Sequence, residues 1–317
     1  MPQRVALLLT VLACLAVARH KKVVATAPET SPKSEAVQLL SAGQHPRVLL
    51  RLRPTANQRR SVLVTAVSNA FQKWAGNAAP RQRTAEQRYL IDIWVKKVLP
   101  NGDIRCAIKF TSLEVQSPPD SASGEGEAPA GAVVRESRDV SAEMLVDNRG
   151  NAKGAELRSS PKANPNIQKE LAKLQRVLQN ASLAFPEEPV GVDARWQVRQ
   201  PLPPDDLFRE DVTTYRVISI HGNDVELSVQ TEQHALSHVP HIPGLPERAS
   251  VELLSASSNG RGAVTVNLTQ PMPAHAELHV SSFLNLRINA EGKSQDMQLS
   301  LDTSAHLQDA PHAANSR

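Results

Sequence analysis

The sequence predicts a mainly β protein: two related antiparallel β-rich halves, open-barrel or sandwich-like, joined by one amphipathic helix. Three observations predict it. First, period-2 alternation recurs along the chain: Ile104, Cys106, Ile108 and Phe110 alternate with Arg105, Ala107 and Lys109, and Leu284, Leu286 and Ile288 with Asn285, Arg287 and Asn289. The same pattern runs through Val225–Val229, Val264–Leu268, Ala276–Val280 and Met297–Leu301. Successive strand side chains point to opposite faces, so each run has one apolar and one wet face, the mark of antiparallel sheets packed on one side. Second, turn signals separate the runs: "PNGD" at Pro100–Asp103, "HGND" at His221–Asp224 and "AEGK" at Ala290–Lys293. Third, the hairpin order repeats. "VKKVLPNGDIRCAIKF" from Val95 matches "YRVISIHGNDVELSVQ" from Tyr215, and "SAEMLVDNRGNAKGAEL" from Ser141 matches "SFLNLRINAEGKSQDMQL" from Ser282.

In chain order, residues 1–18 read as a signal peptide. Arg4 precedes an apolar run from Val5 to Ala18, too short to span a bilayer as a stable helix, and Ala16-Val17-Ala18 supplies a small-x-small cleavage pattern. Val11-Leu12-Ala13-Cys14 offers the alternative of a lipobox with Cys14 lipidated. Either route exports the protein to a periplasmic or extracellular site, membrane-anchored in the second case. No later stretch is apolar enough to be a transmembrane helix. Residues 19–44, rich in Ala, Ser, Thr and Pro, read as a disordered tether. The first β-rich half spans 45–160 and carries a disordered loop at 116–132. "RVLLRLRP" (Arg47–Pro54) opens it, as "ARWQVRQP" (Ala194–Pro201) opens the second. The linker helix covers 163–184: Ile167, Leu171, Leu174 and Leu178 make one apolar stripe, Asn164 can cap it and Pro165 suits its first turn. The second half spans 185–307, and 308–317 is a disordered tail.

Cys14 and Cys106 are the only cysteines. Once Cys14 is removed or lipidated, Cys106 stands alone on the apolar side of a strand as a small buried hydrophobe, and the core must hold the fold without a disulfide. Charge divides between the halves: residues 45–110 hold thirteen Lys/Arg against three acids, a net of +10, and 185–310 eight against seventeen, a net of −9. Opposed signs suit docking of one half on the other, or a homodimer; each half carrying its own solvated charged face is the simpler account of them. Nucleic acid is excluded as a partner by the export signal and the absence of a binding motif.

No nucleophile elbow, H-E-x-x-H, P-loop, C-x-x-C or G-x-G-x-x-G occurs, so no enzyme activity and no cofactor is expected. Three imidazoles, His234, His238 and His241, fall within eight residues and are the candidate metal ligands, although two prolines interrupt them and no periodicity fixes their spacing. His275 and His279 share one strand face about 13 Å apart, too far to chelate one ion by themselves.

The stretch "FPEEPVGVDARWQVRQ" (Phe185–Gln200) opens the second half. Pro189 stiffens its entry, Gly191 permits a tight bend and Trp196 anchors the first strand; these are structural roles, with Trp196 as an exposed ligand-stacking residue the alternative. Pro186, Glu188, Pro189, Val190, Gly191, Val192, Ala194, Arg195 and Trp196 resemble the P-x-E-P-V-G-V-G-A-R-W mark of an uncharacterised family of exported bacterial β-rich proteins, a domain of unknown function. Asp193 stands where that mark has Gly, and Asp tolerates unusual backbone angles. The resemblance implies a β-rich fold and an exported location, and no activity.

The chain is therefore expected to be an exported, non-catalytic envelope protein. As an interaction or structural module it would engage an envelope protein partner. As a carrier it would enclose a lipid or other hydrophobic ligand in an open β-barrel. A hydrolase ranks third.

Overall fold

The structure, a computed structural model, describes residues 36–74, 77–78, 82–83, 86–116, 133–136, 140–158, 183–201, 208–235, 250–290 and 293–310. Fifteen strands occur among them: β1 (Ala36–Ser41), β2 (Arg59–Trp74), β3 (Asn77–Ala78), β4 (Gln82–Arg83), β5 (Glu86–Val98), β6 (Ile104–Gln116), β7 (Val133–Glu136), β8 (Val140–Val146), β9 (Ala152–Arg158), β10 (Arg195–Pro201), β11 (Phe208–His221), β12 (Asp224–Ala235), β13 (Ser250–Asn267), β14 (His275–Ala290) and β15 (Lys293–Asp309). All belong to one antiparallel sheet whose main path runs β1-β10-β11-β12-β13-β14-β15-β2-β5-β6-β8-β9, with β3 and β4 against β2 and β7 against β6. The ends, β1 and β9, do not pair, so the sheet is open.

The strands of each half stand together, β10 to β15 and β2 to β9, and the β15–β2 ladder from Met297↔Trp74 to Asp309↔Val62 joins them. All four compared hairpins form: β5–β6, β11–β12, β8–β9 and β14–β15. Their settings differ by one strand, because β6 abuts β8 directly whereas β13 lies between β12 and β14. The fold is thus a single open sheet, not a sandwich.

Two expectations need correction. Residues 36–41, inside the stretch expected to be a tether, form β1 and pair with β10, Leu39 opposite Trp196. Alternating Val37 and Leu39 supply an apolar side that packs against the core. "RVLLRLRP" is not a ladder strand: it makes one isolated bridge, Val48↔Val190, and otherwise bonds to turns, Leu52 N–H to Asn148 O and Arg53 N–H to Leu268 O. Its alternation is real, but Leu50 and Leu52 point into the core as a plug rather than into a sheet face. No helix occurs among the described residues. The linker helix lies outside them except for Leu183 and Ala184, which are not helical. Residues 1–35, 117–132 and 311–317, which hold the signal, most of the tether and most of the expected loop and tail, also lie outside; Gln308 and Asp309 of the expected tail close β15 against Leu63 and Val62, and Gln116 of the expected loop ends β6.

One hydrophobic core sits where the sheet's two ends approach each other. It unites Trp196 and Val217, Leu227 and Val266, Ile93, Ile108 and Met144 around Leu50, Leu52, Phe185 and Val190. Cys106 is fully buried in it, and burial pushes its thiol up to about 12. Residues 183–194 and 42–53 weave the plug together. Gly191 N–H donates to Ala42 O and Gln44 N–H to Val192 O. The Arg51 guanidinium reaches Pro186 O and Glu187 O, and Arg149 reaches Phe185 O. Buried Arg60 meets the carbonyls of Met272, Pro273 and Ala274 and the carboxylate of Asp309. Each buried cation is thus hydrogen-bonded, as its desolvation demands.

Candidate ligand-binding face

The central strands outrun the core. β13, β14, β15 and β2 have 18, 16, 17 and 16 residues, whereas β1 has 6 and β8, β9 and β10 have 7 each. At about 3.4 Å per residue the long strands extend roughly 55–60 Å and the short ones less than half of that. The plugged core occupies one end of this surface.

Register places the inner face residue by residue. Across β12, β13, β14, β15 and β2, a first row near the core reads Leu227, Val264, Ala276, Leu307 and Val64. Farther along the same face lie Leu284, Leu286 and Ile288 on β14, Met297, Leu299 and Leu301 on β15, and Ala70 on β2. These seven are buried, yet they stand outside the main core cluster. Alternation over sixteen or more residues made both apolar groups, since every second side chain returns to one face.

Between the two groups runs a band of hydroxyls. Thr213 and Thr231 hydrogen-bond across β11 and β12, Ser282 donates to Ser258 at 2.9 Å across β14 and β13, and Ser68 meets Thr303 at 2.9 Å across β2 and β15. Ser258 and Ser68 are buried. Asp211 ends the band, accepting from Thr231. Burial raises its pKa above the ordinary carboxyl value, against the smaller opposing effect of the Thr231 hydrogen bond. Past the band, Gln72 donates to the Met297 sulfur at 3.0 Å. The face therefore offers apolar contact on both sides of a strip able to hydrogen-bond. The alternating runs announced the apolar groups in the sequence; the band was missed, because Ser and Thr at every second position carry no signal until register aligns six strands.

The residues singled out beforehand fall elsewhere. Trp196 is fully buried, stacked on Tyr215 at 5.3 Å and edge-on to Phe185 at 6.4 Å between centroids. It is not an exposed stacking residue. Gly191 abuts the plug: a Cβ there would stand 1.8 Å from Gln44 O. Pro189 is exposed beside it. Asp193 has φ 65°, the left-handed region, and its carboxylate accepts from Arg216 Nε at 3.0 Å and Gln44 Nε2 at 2.8 Å. The Arg216 bond, foremost, holds its pKa low. His234 lies in β12, opposite Glu210 on one side and Ser257 on the other. His238 and His241 lie outside the described residues. On the outer face, His279 bonds Glu277 at 3.0 Å and Ser304 at 2.9 Å, with the His306 ring 6.1 Å away. Among the described residues no group of three or more His, Cys, Asp or Glu is arranged to hold a metal ion.

No protein-family model matches the chain, and no curated protein is detectably similar to it. Among solved structures it is similar to lipovitellin, in a structure concerned with lipid–protein interactions, with 12% identity and a TM-score of 0.42, covering 83% of this chain and 26% of that one. The chain thus spans about a quarter of lipovitellin's length. It is also similar to TodX, the P. putida toluene transporter, at 9% identity and a TM-score of 0.20, covering 86% and 96%, and to a monoaromatic hydrocarbon channel mutant of TodX at 10% and 0.22, covering 81% and 91%. Likeness at this level carries no functional argument.

Proposed function

We propose that the protein is an exported, non-catalytic binder or carrier of a hydrophobic ligand, held on the inner face of the open sheet beyond the core. One observation carries the reading: Leu284, Leu286, Ile288, Met297, Leu299 and Leu301 form an apolar group on long strands that overhang the packed core. These side chains are buried although they lie outside the main core cluster, so the far half of the central strands encloses a second apolar interior, separate from the plugged core. The hydroxyl band suits an amphipathic ligand, with chains on the apolar groups and a polar group at Ser258, Ser282, Thr303 and Ser68. The export signal and the resemblance to the exported β-rich family agree with a ligand drawn from an envelope.

The test is titration of the purified protein with 1-N-phenylnaphthylamine, whose emission rises in apolar surroundings. Saturable enhancement, reversed by phospholipid or fatty acid and reduced by filling the face with Ala70→Trp, is expected. No enhancement with the folded protein contradicts the reading.

A further inference from the structure

Among the described residues, six of the eight large hydrophobic side chains that stand exposed gather at the core end of the sheet: Leu40, Val48, Leu49, Val98, Val192 and Ile218. Local bonding puts them there. Leu40 lies at the β1 irregularity between Leu39 and Ser41, beside the 42–53 segment, Val48 bridges to Val190, and Gln44 bonds the carbonyl of Val192. Asp193 bonds the carbonyl of Val217, next to Ile218, and Val98 enters the β5–β6 turn, whose Gly102 abuts Asn148 of the β8–β9 turn. Leu49 is 51% exposed at the middle of the 48–52 segment. Scattered exposed hydrophobics need no explanation, but this concentration at one end does.

The same end is basic. Arg53, Arg59, Lys96, Lys97 and Arg105 are exposed there and form no ion pair with another described residue. Trp94 holds two of them in place, with Lys96 Nζ 3.0 Å and Arg59 Cζ 4.6 Å from its ring centroid. Several acids at this end are engaged, Glu187 by Arg149, Asp193 by Arg216 and Asp103 by Lys153; Glu188, Asp224 and Glu226 are exposed, Asp224 accepting from Asn267 and Glu226 from Ser219.

We infer that this end docks on the surface of an anionic lipid bilayer, with Leu49 and its neighbours entering the headgroup boundary and the cations facing lipid phosphates. Apolar side chains ringed by Lys and Arg are what such a surface attracts: burial supplies one part of the affinity and charge the other. A protein partner would need complementary shape as well as charge; a fluid bilayer asks only for the mixture found here. The inference stands whether or not the inner face carries a ligand.

The test is co-sedimentation of the full chain with phosphatidylcholine vesicles made with and without phosphatidylglycerol. Binding to the anionic vesicles only, weakened by salt, is expected. Arg59→Glu with Lys96→Glu should lower partitioning by about tenfold or more. Leu49→Glu should lower it comparably with no change in melting temperature, because Leu49 packs against little. Leu254→Glu, at an exposed site away from this end, should leave it unchanged. Protein that stays in the supernatant, even carrying lipid extracted from the vesicles, overturns the inference. So does equal binding to both vesicle types, or unaltered binding by the charge-reversed and Leu49 variants.

Discussion

The indole of Trp196 lies flat on the ring of Tyr215, 5.3 Å between centroids and 17° from parallel. The two are opposed in the β10–β11 ladder, and Leu39 of β1 faces Trp196 from the other side. The pair therefore joins the last three strands of one sheet end to Phe185 of the plug. Trp196→Ala should cost about 3–5 kcal/mol, seen as a lower denaturant midpoint. Trp196→Phe should cost less, because the indole N–H is buried without a partner and its removal relieves an unmet donor.

Gly191 and Asp193 are constrained differently, so their substitutions should separate. Gly191→Ala drives a Cβ into Gln44 O and should lower the melting temperature strongly. Asp193→Gly relieves the backbone at φ 65° while losing the Arg216 contact, and should change it little.

The low pKa of Asp193 gives a pH signature. A carboxyl whose folded pKa lies below its unfolded value of about 3.9 stabilises the fold above that value, and the contribution is lost as pH falls through the folded pKa. The melting-temperature difference between the wild type and Asp193→Asn should therefore shrink below about pH 4. A constant difference across that range would place the effect in packing.

Asp211 should behave oppositely. Its raised pKa means the folded protein is penalised once the carboxyl ionises, so stability falls as pH rises from about 4 through the folded pKa. Asp211→Asn should raise the melting temperature at neutral pH and make no difference below about pH 4. Melting curves of both proteins at neutral and acid pH decide it.

Cys106 should ignore thiol reagents in the folded protein. It is fully buried and its thiol is pushed up to about 12. In a Cys14→Ser background, a chromogenic disulfide should label nothing until denaturant unfolds the chain.

What the sequence disclosed was local. The turns at Pro100–Asp103, His221–Asp224 and Ala290–Lys293 carry their own chemistry, and the alternating runs beside them became β5, β6, β11, β12, β14 and β15. Pairing between distant segments left no mark: "AVQLLS" gives no hint that Leu39 will face Trp196. Leu50 and Leu52 alternate as strand residues do, because alternation reports which side chains are buried and not what the backbone bonds. β13 was half hidden, since its "SASSNGRG" centre looks like a loop; there Gly260 and Gly262 lie beneath Val280 and the Glu277 carbonyl, where a side chain would not fit. The basic character of one end was legible in the charge of residues 45–110, which hold Arg53, Arg59, Lys96, Lys97 and Arg105; the hydroxyl band and the gathering of exposed apolar side chains beside those cations are properties of register and topology.

The most direct test of ligand binding is native mass spectrometry of the full chain, purified without detergent and then extracted with organic solvent. A stoichiometric adduct of lipid-like mass is expected, disappearing on extraction and returning on incubation with phospholipid. The sequence mass alone, before extraction and after such incubation, would contradict it.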